Sequence, residues 1–234
     1  MIDMDLIVTD RLEPDARSLT SRIYQELRKE ILQCKLPPGE KLRISTIKDR
    51  FDSSLSSVRE AMTRLAAEGW LVSRDQRGFT VAGVSRDDLV DLFRTRAQIE
   101  CLALGQALSF ADKHWEADVS MAYGDLVRNQ GASENYWLAE HWVSSHDRFH
   151  KALISGCKSP ALIAIVEQLS IRSQRYRHLS TTLPSHRDGS AEHRALFESV
   201  LARDCDRAQT ILSSHYEMTA QILADGSSVL INGG

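Results

Sequence analysis

Four histidines are the side chains of this sequence best placed to do chemistry. His146 and His150 stand four apart in "SENYWLAEHWVSSHDRFHKALISG", so on a helix both imidazoles leave the same face. That face also carries Leu138, Trp142, Phe149 and Leu153, which turns it inward. His193 follows a Ser190 cap at the start of another helical stretch, and His215 comes 22 residues later on the next helix. Imidazoles pointing inward from three helices can converge in a bundle core, where metal sites of such folds are built. Neutral imidazole suits Zn, Ni, Cu or Fe and not Mg or Ca. The expected cofactor is a divalent transition metal, Zn first and Ni second. A lone core histidine is ordinarily just a hydrogen-bonded one, and it is the set of four that points to a metal. His114, His141, His178 and His186 are expected on the surface or in loops.

A second chemistry lies in "SSLSSVREAMTRLAAEGWLVSRDQRGFTV", from Ser53 to Val81. A serine cluster precedes an amphipathic stretch that stops at Gly69 and continues into a short hairpin carrying Arg74, Arg77 and Gly78. The first turn of a helix aimed at a DNA groove reaches base edges, and flanking donors fix the register on phosphates. Here that turn offers Ser54, Leu55, Ser56, Ser57 and Arg59. Serine hydroxyls and free amides suit phosphate oxygens, and Arg59 suits guanine or phosphate. Leu55 donates no hydrogen bond but can touch a thymine methyl. Arg77 and Gly78 would reach the minor groove or the backbone, with Arg64 a lesser phosphate contact. The competing reading pairs Arg59 with Glu60 or Asp52 as ordinary surface charge.

Composition permits both. The chain has 234 residues, 42% hydrophobic and 26% charged, as in ordinary globular proteins. No apolar stretch approaches the ~18 residues of a membrane span. The acidic start "MIDMDLIVTDRLEPDAR" has no apolar signal core. Cys34, Cys101, Cys157 and Cys205 lie far apart with no C-x-x-C pair, so a cytoplasmic location with reduced thiols is expected. The net charge of −3 hides an asymmetry: Arg17 to Arg86 holds 14 Lys and Arg against 8 Asp and Glu. A basic module for nucleic acid joined to an acidic partner domain fits that division.

The elements that must position these residues follow from periodicity. In "SLTSRIYQELRKEILQC", Leu19, Ile23, Leu27 and Ile31 recur every four residues, and "LPPGEKL" ends the helix. "ISTIKDRF" is a second helix, Val58, Met62 and Leu65 face a third, and "WLVSR" and "GFTVAGV" alternate as two strands around "DQRG". That order is a winged helix-turn-helix. From Ser85 the strand signals stop. "SRDDLVDLFRTRAQIECLALGQALSF", the histidine stretch, "SPALIAIVEQLSIRSQRYRHLS", "SAEHRALFESVLAR" and "DCDRAQTILSSHYEMTAQILA" all read as helices. The expected fold is mainly α: an N-terminal winged helix-turn-helix over residues 17–84, then an antiparallel all-helical bundle over 85–224. Residues 1–16 form a flexible arm and 225–234 a flexible tail.

These residues resemble the GntR family of bacterial transcription regulators, in its FadR-like branch with an FCD effector domain. "LPPGEKL" is similar to the family's P-G-x-x-L turn, and "SSVREAMTRLAAEGWLVSRDQRGFTV" to its recognition helix and R-G-x-x-V wing. "RTRAQIE", "FHKAL" and "EHRALFESVLARDCDRAQTILSSH" follow the FCD pattern. The family usually has arginine where Leu55 stands and proline where Ser57 stands. The resemblance implies a metal held by one Asp and three His, the Asp four residues before the first His. His146 occupies that position and Asp147 is displaced by one, so either His146 replaces the carboxylate or Asp147 reaches in instead. It also implies a small organic acid beside the metal. Arg96, on the inward side of the first bundle helix, can clamp a carboxylate bidentately; its alternative is a surface pair with Glu100. Arg172 and Arg175 are further pocket candidates.

The expected function is a homodimeric, ligand-responsive regulator bound to double-stranded, two-fold symmetric operator DNA, with no membrane association and no catalysis. A metal-sensing repressor without an organic effector is the alternative. A small metallohydrolase is the rival from another class, opposed by the absence of a clear general base other than Asp147.

Overall fold

The computed structural model describes residues 19–74, 78–130, 139–180 and 188–226. The chain divides into two compact units, residues 1–31 with 35–82, and residues 32–34 with 83–234. The arm expected over 1–16 lies outside the described residues, as does all of the expected tail beyond Gly226.

In the first unit, α1 (Leu19–Leu32), α2 (Ile44–Phe51) and α3 (Leu55–Ala67) are followed by strands β2 (Leu71–Arg74) and β3 (Gly78–Val81). Ile23, Leu27 and Ile31 of α1 and Val58, Met62 and Leu65 of α3 are fully buried, so each apolar stripe became a helix–helix seam. Asp52 ends α2 in the left-handed conformation, at φ 44°, and its N–H reaches the carbonyls of Asp49 and Lys48. Two residues later Ser54 caps α3, so a sharp two-residue link sets the angle of the helix-turn-helix. Gly69, at φ +79°, turns the chain out of α3 and into the wing. At the other end, Glu68 accepts from the Tyr24 hydroxyl at 2.8 Å and from Trp70 Nε1 at 3.1 Å, tying α1, α3 and the wing together.

The sheet has a third strand that alternation could not show, β1 (Lys41–Leu42), and its order is β1-β3-β2, antiparallel throughout. Two residues carry no period-two signal. Their pairing comes from the Pro-Pro-Gly turn, where Gly39 N–H donates to Val81 and Val81 N–H returns to Glu40.

The second unit is helical among its described residues: α4 (Arg86–Ser109), α5 (Lys113–Arg128), α6 (Glu140–Ser155), α7 (Pro160–Ser180), α8 (Gly189–Leu201) and α9 (Cys205–Gly226). α4 is the central helix, packed against α9, α7 and α6, while α5 lies on α6 and α8. Caps agree with composition at Ser85, which accepts from Asp88 N–H, and at Asp204, which accepts from Arg207 N–H. Two differences stand out. α5 has no counterpart in the sequence reading, although Trp115, Val119, Ala122 and Leu126 are buried on one face behind an Asp112 cap. α8 starts at an Asp188 cap rather than at Ser190, whose hydroxyl instead accepts from Gln130. No helix among the described residues is long and apolar enough to cross a membrane.

Candidate functional site

The first turn of α3 presents Ser54, Leu55, Ser56 and Arg59 to solvent, with Leu55 54% exposed. Ser54 is already engaged: its oxygen accepts from Ser57 N–H at 3.1 Å and lies 2.8 and 2.9 Å from the Ser56 and Ser57 hydroxyls. It therefore acts as the helix cap, and Ser54→Ala is expected to lower stability by about 1 kcal/mol. A drop in the urea midpoint at constant slope would show it, and an unchanged midpoint would remove the cap from the account. Arg59 has no ion-pair or hydrogen-bond partner among the described residues, so the Glu60 and Asp52 pairings are not formed. The Arg64 guanidinium carbon lies 4.3 Å from the centre of the Tyr24 ring on α1. Gly78, at φ +81°, closes the wing opposite Arg74, a conformation that disfavours any other residue. Arg77 lies outside the described residues.

The second site is in the helical unit. His146 and His150 of α6, His193 of α8 and His215 of α9 are all buried, with ligand nitrogens within 4.8 Å of one another. A tetrahedral Zn(II) with Zn–N near 2.0–2.1 Å spaces neighbouring nitrogens about 3.3 Å apart, so a modest contraction of this cage holds one ion. Burial pushes the His146 and His150 imidazoles well below the usual histidine range. The neighbouring imidazoles, Arg177 beside His146 and Arg96 push the same way. Both are thus neutral, the form that ligates.

Outer contacts orient the rings. His215 Nδ1 lies 2.9 Å from Glu192 Oε2, which leaves Nε2 for the centre. His150 Nδ1 lies 3.2 Å from the Tyr216 oxygen, and its Nε2 is buried without a hydrogen-bond partner. A lone pair orphaned in a bundle core is what a metal ion would satisfy, so the residues fit the group. Asp147 is not one of the four grouped ligands but lies close behind His146, its Oδ1 3.5 Å from His146 Nδ1 and its carboxylate bound by Arg177 at 2.5 and 3.3 Å. Burial opposes the Asp147 charge, but Arg177 more than compensates and holds its pKa below the ordinary carboxylate value. His146 Nδ1 also lies 3.2 Å from Arg177 Nη1.

Arg96 is 3% exposed, one turn from Glu100 on α4 and buried with it. Its Nε donates to Glu100 at 2.5 Å, Nη1 to Ser173 at 2.5 Å and Nη2 to Ser170 at 3.3 Å, with the Tyr216 ring 4.5 Å beneath. Burial, the largest single influence, works against its charge, yet Glu100, Tyr216 and Asp147 together raise its pKa. Three of its five N–H donors are used, and two remain for a ligand. Arg96 and Glu100 thus do pair one turn apart, but in the core and not on the surface. Arg172 is exposed and reaches Asp88 at 3.4 Å, and the titratable neighbours of buried Arg175 include Cys34, Tyr176 and Asp88. Neither contacts the histidines through any of these groups. His114 and His141 are exposed, and His186 lies outside the described residues.

Sequence reasoning passed over Tyr216, Glu192 and Arg177. The first two adjoin His215 and His193 and are legible as neighbours. Arg177 shares its run with Arg172 and Arg175, and choosing among three arginines requires knowing which face of α7 turns toward α6.

The lowered histidines give a pH dependence. The unfolded chain binds protons near the usual pKa of about 6.5, while His146 and His150 in the fold do not. Their contribution is complete above that value and is lost as pH falls below it. The urea midpoint of chelator-treated protein should be lower at pH 5.5 than at 7.5. A midpoint that rises on acidification would contradict the neutral, buried set.

Residues 19–81 match the family model described as bacterial regulatory proteins, gntR family, and residues 91–218 match the FCD domain. The HTH-type transcriptional regulator BphR of Paraburkholderia xenovorans (strain LB400) is 35% identical over 213 residues, 89% of this chain and 86% of the relative. The HTH-type transcriptional repressor GlaR of Escherichia coli (strain K12) is 31% identical over 197 residues, covering 82% and 90%. Among solved structures, E. coli McbR/YncC superposes with a TM-score of 0.69 at 20% identity, over 89% of this chain and 98% of that one, a likeness of fold.

Proposed function

Since the chain belongs to the GntR family of bacterial transcription regulators, with an FCD domain behind its winged helix, we propose that it reads a small organic acid at a metal-assisted pocket and changes its grip on operator DNA accordingly. It is a DNA-binding regulator and not an enzyme, as are the relatives it matches. The finer reading is a homodimer on a two-fold symmetric operator, because one winged helix meets too few phosphates to hold a site alone. Repression is the proposed sense of control, after the repressor named among its relatives.

The observation that carries the reading is the buried four-histidine cage with a buried guanidinium on the neighbouring helix face. Imidazole ligands bring no negative charge to a divalent ion, and a carboxylate oxygen answers the charge they leave uncompensated. Arg96 keeps two donors for the same acid. Ser54, Leu55, Ser56, Ser57, Arg59 and the wing at Gly78 and Arg77 would form the DNA face, with Leu55 against a thymine methyl.

A thermal-shift screen of organic and sugar acids on metal-loaded and chelator-treated protein tests the pocket. One acid that stabilises only the loaded form, and not Arg96→Ala, is the expected result. Because Arg96 already has a carboxylate in Glu100, the metal itself is a second candidate for the signal. Stability that depends on metal with no response to any acid would favour that reading.

A further inference from the structure

A continuous line of buried polar groups runs from Arg96 to the histidine cage. Arg96 Nε donates to one Glu100 oxygen at 2.5 Å, and the Tyr216 hydroxyl donates to the other at 2.6 Å. The phenol proton being committed to Glu100, its oxygen receives the Nδ1 proton of His150 at 3.2 Å. All four side chains are nearly inaccessible, Glu100 at 1% and Tyr216 at 3%. The line ends on His150 Nε2, which has no hydrogen-bond partner among the described residues.

We propose that Glu100 and Tyr216 are positioning residues for a metal ligand: through this line they fix the tautomer and ring angle of His150, and they tie that ligand to Arg96. This rests on the metal reading above. Three observations favour it over simple core packing. Folding alone gains nothing from ending a buried polar chain on a bare lone pair, whereas an ion completes it. The direction of every proton is set from the Arg96–Glu100 ion pair outward, and it leaves Nε2 as the donor atom. The line also starts at the guanidinium proposed to meet the acid. A ligand that draws Arg96 away from Glu100 would loosen Tyr216 and thereby His150, so acid and metal would each alter the other's affinity by the same factor.

The test is the affinity of the full-length protein for Zn(II) alone, by competition with a chromophoric chelator. Tyr216→Phe deletes one oxygen and is expected to weaken Zn binding about 10–100-fold, in addition to a lower metal-free melting temperature from the Glu100 hydrogen bond it also removes. A purely structural Tyr216 would move the metal-free melting temperature and leave the affinity alone. Equal Zn affinities in wild type and Tyr216→Phe overturn the positioning role and leave the metal reading standing. No Zn binding by the wild type overturns both. Should Tyr216→Phe not fold, the pair Arg96→Met with Glu100→Met decides. It removes the acceptor that commits the phenol proton without stranding a buried charge, so weaker Zn binding supports the line and unchanged binding overturns it.

Discussion

Arg96→Met is expected to destabilise the helical unit by about 3–5 kcal/mol, because it strands Glu100 as a buried charge. Glu100 is 1% exposed and its remaining partner is the Tyr216 hydroxyl. The two serine contacts on Arg96 are lost as well, but serine hydroxyls re-satisfy themselves locally, as Ser173 already does on the Ser170 carbonyl. The loss should therefore be electrostatic in origin. Removing both charges, as in Arg96→Met with Glu100→Met, should recover most of the stability, since apolar side chains of similar volume commonly replace a buried pair without penalty. Urea denaturation of the three proteins at pH 7.5 checks this. A single variant that loses under 1 kcal/mol, or a double variant no better than the single, would contradict the electrostatic role of this buried pair.

The second large effect is metal loading. An ion that binds only the folded state stabilises it by about 4 kcal/mol at a thousandfold excess over its Kd. Zn(II) should give that gain to the wild type, and chelator should withdraw it. His193→Ala or His215→Ala should abolish most of the gain while affecting the metal-free protein far less, because each deletes one of four ligand nitrogens. Asp147→Asn should retain most of the gain, since the Asp147 carboxylate is bound to Arg177 and stands behind His146 Nδ1, outside the four ligand nitrogens. Loss of the metal response in Asp147→Asn and its survival in His146→Ala would exchange their roles.

The helix-turn-helix was legible because its determinants are local. A four-residue apolar stripe, a serine cap and a glycine stop each act within a few residues, and α2 and α3 fall where they point. β1 was not legible, because two residues gain their strand character only from pairing with β3. α5 was legible and overlooked: its buried face recurs at Trp115, Val119, Ala122 and Leu126, but the charged residues around it dilute the apolar signal. In the candidate site, spacing along one helix announced His146 and His150, yet only tertiary structure decides which groups stand behind them. Tyr216 faces the cage from α9 and Glu100 from α4, 116 positions apart in the chain. No pattern within either segment encodes that meeting. The arginines show the same limit, for Arg177 reaches His146 and Arg96 reaches Glu100 while Arg172 turns to Asp88.

The account joins a pocket to a DNA grip, and the join is thermodynamic. An acid bound at the metal alters operator affinity only insofar as it favours one arrangement of the protein over another. Coupling of that kind is typically about 1–3 kcal/mol, or roughly 5–150-fold in affinity. The most direct measurement is the affinity for an operator duplex, selected from a random library, at one fixed salt concentration. It is followed by fluorescence anisotropy for metal-loaded and metal-stripped protein, each titrated with the acid that stabilises the loaded form most. The account predicts a change in operator Kd of that size on adding the acid to loaded protein, and none in stripped protein. One operator Kd shared by all four states would contradict it.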